Sequence, residues 1–143
     1  EKVKTIRDDK TWIPDLRGKA VKMVSELLFY LPADFGFSVV FMQRNLDEVI
    51  RSQNTMLERM GRDRSGTGDE QIRELFEKHL RKVEGWLSRQ PNIRTLFISY
   101  NDTLRDPDTS AQDLKNFFSH THALETESMK SVIDPKLYRQ KRG

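Results

Sequence analysis

The run Phe37-Ser38-Val39-Val40-Phe41-Met42 limits the possible folds more than any other stretch. It is aromatic, β-branched and nearly continuous, the pattern of a strand buried on both faces of a parallel sheet. Asn45 follows it, with Glu48 three residues later, which is the signature of a helix N-cap with a capping box. Leu46, Val49, Ile50, Leu57 and Met60 then recur at helical spacing, and Gly61 is placed to stop that helix.

The same alternation continues downstream. Arg62 to Gly68 is charged and glycine-rich, an expected exposed loop. Ile72, Leu75, Phe76, Leu80, Val83, Trp86 and Leu87 form one helical stripe, with Glu74/Lys78 and Glu77/Arg81 as i,i+4 pairs on the wet side. Pro91 ends it. Arg94 to Tyr100 reads as a second strand. Asp106-Pro107 opens a helix with Leu114, Phe117 and Phe118 facing inward, and a short helix is expected over Glu125 to Val132. Upstream, Glu1 to Leu16 reads as a short helix running into a turn at Pro14. Lys19 to Val24 reads as a strand, and Ser25 to Leu31 as a short helix stopped by Pro32.

Strands alternating with helices predict an α/β fold, a mostly parallel sheet flanked by helices, in one domain over residues 1–143. Length agrees, since 143 residues suit one domain better than two. Ligands of such sheets sit at the carboxyl ends of strands. The residues to watch are therefore Arg44 to Ser52, Tyr100 to Thr103, and those after Lys22.

Composition excludes several chemistries. There is no cysteine, so disulfides, thiolate catalysis and cysteine zinc sites are absent. Three histidines, His79, His120 and His122, are too few for a histidine-rich metal site. The net charge of +3 suits a small anionic ligand at least as well as nucleic acid, which calls for a larger basic excess with interleaved aromatics. No apolar run is long enough to cross a membrane. No Gly-Lys-Ser/Thr loop follows a strand, which argues against a small-molecule kinase.

On the helix after the first strand, Asn45, Glu48 and Ser52 share a face. An arginine fork, free N–H groups at the helix start and a hydroxyl two turns on can cradle an anion. Geometry alone equally allows Arg44 as a surface residue and Ser52 as a solvated hydroxyl.

The segment Phe41-Met42-Gln43-Arg44-Asn45-Leu46-Asp47-Glu48-Val49-Ile50-Arg51-Ser52 resembles the 3′-phosphate motif of the sulfotransferase family. There, a strand ends in Arg-Asn/Asp, an acidic residue follows, and a serine closes the motif eight residues after the arginine, the separation of Arg44 and Ser52. Leu46 stands where many relatives have proline. Tyr100-Asn101-Asp102 through Pro107 resembles the family's Tyr-Glu-Asp segment, with Asn101 in place of the usual glutamate. Gly18-Lys19-Ala20-Val21-Lys22, Asp47 to Gln53 and Asp134 to Arg139 are similar to segments of small bacterial members.

The resemblance implies a P-loop-NTPase-like three-layer sandwich and sulfonate transfer from 3′-phosphoadenylyl sulfate to a hydroxyl or amine, without a metal. Arg44 and Ser52 would hold the 3′-phosphate, and Tyr100 would lie against the adenine. Arg139, Lys141 and Arg142 would clamp the same phosphate. Lys22 would steady the transferring sulfonate, and Glu26 would serve as general base, because Val24 or Ser25 stands where many relatives carry histidine. Lys22 reads equally as a surface lysine and the basic tail as solvated.

The family's loop for the 5′-phosphosulfate is expected upstream of Glu1, leaving the fold incomplete at its N-terminus. Arg64-Ser65-Gly66-Thr67 spells a similar string, but a helix rather than a strand is expected before it. The other reading is therefore a non-catalytic fragment or a module for a nucleotide 3′-phosphate, with this chain alone inactive. The expected setting is cytoplasmic, with the donor nucleotide and an unknown acceptor as partners and neither membrane nor nucleic acid. Unpaired sheet edges would favour a homodimer.

Overall fold

The computed structural model describes residues 2–61 and 68–134. From Phe37 to Ser99 its elements follow the sequence pattern closely. Strand β1 spans Phe37–Gln43, helix α1 Leu46–Arg59, helix α2 Asp69–Leu87 and strand β2 Ile93–Ser99. Three more helices complete the order: α3 Tyr100–Arg105, α4 Pro107–Phe118 and α5 Thr126–Ser131. The fold is α/β, and β1 and β2 pair in a parallel two-stranded sheet. No helix among the described residues is long and apolar enough to cross a membrane.

The helix ends are set locally. Asn45 Oδ1 accepts from the Asp47 N–H at 2.9 Å and caps α1. Gly61 follows α1 at φ +62°, a left-handed conformation that costs glycine nothing and other residues about 1–2 kcal/mol. Ser99 caps α3 by accepting from the Asp102 N–H at 3.2 Å. Asp106 caps α4, with Pro107 at its first position.

Several expectations are corrected. Lys19 to Val24 is not a strand, although Val24 is extended at φ −80°, ψ 148°. A run becomes a strand only by pairing, and neither β1 nor β2 pairs with it. Glu1 to Leu16 is not one helix: 3₁₀ turns form at Lys2–Thr5 and Pro14–Leu16. The expected helix at Ser25 is likewise a 3₁₀ helix, Ser25–Tyr30. Strand β1 is not buried on both faces. Phe41 is buried, but Ser38, Met42 and Gln43 are exposed, so the described residues cover the faces of this strand only in part. Tyr100 begins α3 rather than ending β2. Leu75 belongs to the expected apolar stripe of α2 yet is 64% exposed. The expected loop from Arg62 falls, through residue 67, outside the described residues, as does the tail from residue 135.

The chain divides into two compact units, residues 1–38 with 77–94, and residues 39–76 with 95–143. In the first, Ile6, Trp12, Ile13 and Leu27 form a buried cluster, with Val3, Leu16, Met23, Tyr30, Leu31, Phe35 and Phe37 packed against it. Fully burying a large apolar side chain such as Ile6 or Ile13 stabilises the fold by about 1.5–3 kcal/mol through removal from water, and the partly buried ones contribute less. Trp12 Nε1 donates to the Asp9 carbonyl at 2.9 Å, so its polar edge is satisfied. Asn92 locks the approach to the sheet. Its amide donates to the carbonyls of Pro32 at 3.2 Å and Phe35 at 2.8 Å, and its own carbonyl accepts from the Phe37 N–H at 2.9 Å.

In the second unit, Phe41 and Phe97 pack ring to ring at 5.5 Å. Ile50, Ile98 and Ala111 are buried. Thr103 Oγ1 donates to the Ser99 carbonyl at 2.8 Å and lies 2.9 Å from the buried Ser110 hydroxyl, tying α3 to α4. Lys130 reaches back from α5 to Asp108 at 2.5 Å.

Asp106 gives the fold a measurable pH dependence. Hydrogen bonds from the Thr109 side chain, and then from its backbone, hold the Asp106 carboxyl below its ordinary value of 3.8. A carboxyl depressed on folding contributes stability that is present above its unfolded pKa and lost as pH falls through the folded one. Asp106→Ala is therefore expected to destabilise the protein at pH 7 and to differ less from the parent near pH 3. Urea unfolding at both pH values checks this.

Candidate functional site

The carboxyl ends of β1 and β2 carry the strongest concentration of polar contacts in the second unit. Arg44 leaves β1 and Tyr100 leaves β2, and the Arg44 guanidinium carbon lies 4.8 Å from the centre of the Tyr100 ring. Two residues expected to share a site, 56 positions apart in sequence, are thus brought together. The stacking itself contributes about 0.5–1 kcal/mol at a half-exposed site.

Beneath that pair lies Glu48, with a side chain only 2% exposed. A carboxylate buried so deeply requires partners. Arg44 Nε donates to its Oε2 at 3.4 Å, and Asn101 Nδ2 donates to its Oε1 at 3.0 Å. Asn101 also accepts, through Oδ1, from the Asn45 backbone N–H at 3.4 Å. A capping box assigns that N–H to Glu48; here Asn101 takes it and Glu48 turns to Arg44 and Asn101. The departure from the sulfotransferase pattern at Asn101 acquires a physical reason. An amide donates to Glu48 and accepts from Asn45 at once, whereas a carboxylate in that place only accepts.

Arg44 keeps 30% of its side chain exposed. Its two terminal nitrogens make no hydrogen bond or ion pair among the described residues. The fork is held by its inner nitrogen and stacked on a ring, with its outer nitrogens able to meet an anion. Ser52 is half-buried on α1, and its hydroxyl has no hydrogen bond among the described residues. Asp47, in the first turn of α1, pairs with Arg73 of α2, which also approaches Glu70 at 3.8 Å. Asp47, Ile50, Arg51, Asp69 and Arg73 line a shallow depression of about 260 Å³, which includes part of the expected segment Arg44 to Ser52 but neither Arg44, Ser52 nor Tyr100. Within that lining Asp47 and Arg73 are already ion-paired with each other, and Asp69 accepts from the Asn54 amide at 3.3 Å.

Lys22 and Glu26 lie in the first unit. Lys22 is exposed in an irregular segment, not on a strand. Glu26 is on the 3₁₀ helix Ser25–Tyr30, where its Oε2 stands 3.3 Å from His79 Nδ1. On the other side of the same imidazole, Ser25 Oγ is 2.7 Å from Nε2. His79 is the residue that sequence reasoning missed. Its only local signal was a position on the flank of the α2 stripe, and its partners are more than fifty residues away. Arg139, Lys141 and Arg142 lie outside the described residues. Among those residues, no group of three or more histidines and carboxylates is arranged to hold a metal ion.

Comparison of the chain with family models, with curated proteins and with solved structures found no match.

Proposed function

We propose that the chain is a sulfotransferase-like domain, related to the three-layer P-loop-like sandwiches, that binds the 3′-phosphate of 3′-phosphoadenylyl sulfate at the strand ends. The observation that carries this reading is the Arg44 fork stacked on Tyr100 beside the Asn45-capped start of α1. A phosphate there meets a charge-assisted donor, and a base meets an aromatic ring. Glu48 opposes the phosphate electrostatically but keeps the guanidinium fixed by its inner edge. The reaction would be an in-line displacement at sulfur, in which positioning and charge stabilisation supply most of the rate.

The test is calorimetric binding of adenosine 3′,5′-bisphosphate, with adenosine 5′-monophosphate as the control. The parent is expected to prefer the bisphosphate. Arg44→Ala should weaken bisphosphate binding at least about tenfold, the loss of one charge-assisted pair. Because that change also strips Glu48 of a partner, Arg44→Lys serves as the second variant. It keeps the charge but loses the planar fork, and a several-fold loss is expected. Equal affinity for the two nucleotides, or no loss in folded Arg44→Lys, reduces the cluster to a structural clamp between the strand ends.

A further inference from the structure

Outside the strand-end site, the first unit brings together Ser25, His79 and Glu26, the last of which the family resemblance casts as a general base. Ser25 Oγ is 2.7 Å from His79 Nε2, and His79 Nδ1 is 3.3 Å from Glu26 Oε2. A carboxylate beside Nδ1 favours the tautomer that carries its proton there, and in that tautomer Nε2 is the lone-pair nitrogen and accepts from the Ser25 hydroxyl. This is the order and polarity in which a serine becomes a nucleophile: hydroxyl, imidazole base, orienting carboxylate.

The supports on both sides are firm. Ser25 and Glu26 are adjacent on a 3₁₀ helix anchored by the buried Leu27 and Leu28. His79 sits within the continuous helix α2, with the Phe29 ring edge-on at 6.4 Å. The His79 side chain is 25% exposed, so solutes reach the imidazole. Val24, immediately before the hydroxyl, is 67% exposed and offers an apolar contact for a short acyl chain.

We infer that Ser25 is an acyl-accepting nucleophile toward small activated esters, with His79 as its base and Glu26 as the positioning residue. Ser25 Oγ bonds to the ester carbonyl carbon while its proton passes to His79 Nε2. The C–O bond to the leaving group breaks, and that oxygen takes the proton from Nε2. Water then attacks the acyl-serine by the same proton route, releasing the acid and restoring the hydroxyl. The balance is ester plus water to acid plus alcohol. The inference shares Glu26 with the base expected for sulfonate transfer but none of the residues of the strand-end phosphate site, so Arg44 variants test that site separately.

The experiment uses the full chain with a fluorophosphonate probe, followed by peptide mass spectrometry, and p-nitrophenyl acetate for turnover. Selective labelling of Ser25 is expected, with none at that position in Ser25→Ala. His79→Gln should slow labelling about 10²-fold, the usual contribution of a positioned base. Glu26→Gln should lower kcat for p-nitrophenyl acetate at least about tenfold with KM unchanged, a split that mere loss of packing does not give. Each variant is checked for native circular dichroism. If a variant at His79 fails to fold, the parent decides: labelling of Ser25 no faster than of other exposed serines overturns the inference. Equal labelling of parent and folded His79→Gln overturns it as well, leaving the three residues as a structural tie.

Discussion

Asn101→Asp is expected to destabilise the protein by about 3 kcal/mol or more at pH 7, the sum of a lost donor to a buried charge and a new like charge beside it. The amide of Asn101 donates to Glu48 at 3.0 Å, and Glu48 is almost wholly removed from water. Exchange for a carboxylate leaves two acceptors facing each other beside Arg44, the cation bonded to Glu48 among the described residues. Against a typical total of about 5–15 kcal/mol, such a loss is a large fraction of the stability. Lowering the pH should return part of it, because one proton shared between two carboxylates removes the repulsion. Asn101→Leu should cost less, since it removes the donor without adding charge. Urea unfolding of the three proteins at pH 7 and pH 4.5 checks the order. An Asn101→Asp protein as stable as the parent would mean that Glu48 is satisfied without Asn101.

That cluster also shows where sequence reading ends. β1, α1, β2, α4 and α5 were legible to within a residue or two, because hydrophobic period, caps and Gly61 are local signals. Helix α2 starts at Asp69, three residues before its first apolar position at Ile72, because acidic residues are favoured in a first helical turn. Arg44 and Tyr100 were both placed at strand ends from sequence, and the paired parallel strands bring them into contact. The partners of Glu48 and His79 were not legible. Each is joined to residues more than fifty positions away, and no period or cap encodes a hydrogen bond across that separation. Local pattern also overstated burial. The apolar run of β1 resembles a central strand, yet Met42 is 50% exposed in a sheet of two strands. Lys19 to Val24 shows the same limit from the other side. An extended, mixed run is compatible with pairing, but pairing depends on a neighbour that the run itself does not specify.

The second large effect is expected at Trp12. This indole is 6% exposed within the cluster of Ile6, Ile13 and Leu27, and its N–H is bonded to the Asp9 carbonyl. Trp12→Ala removes the ring, leaves a cavity that the surrounding 3₁₀ turns fill only partly, and strands one carbonyl. The expected cost is about 3–5 kcal/mol. Leu75→Ala is the matched control. Sequence periodicity places Leu75 on the buried stripe of α2, but at 64% exposure its truncation should change stability by no more than about 0.5 kcal/mol. The protein has two tryptophans, so Trp86 remains as a probe in the Trp12 variant. Its ring packs edge-on against Phe29 at 5.3 Å, within the same unit as Trp12. Trp86 fluorescence in urea therefore reads the stability of that unit, and far-ultraviolet circular dichroism, which follows the helices of both units, reads Leu75→Ala. A midpoint well below the parent's in Trp12→Ala, with Leu75→Ala unmoved, supports a core centred on Ile6, Trp12, Ile13 and Leu27. A Trp12→Ala midpoint equal to the parent's would mean that this cluster does not carry the stability of its unit.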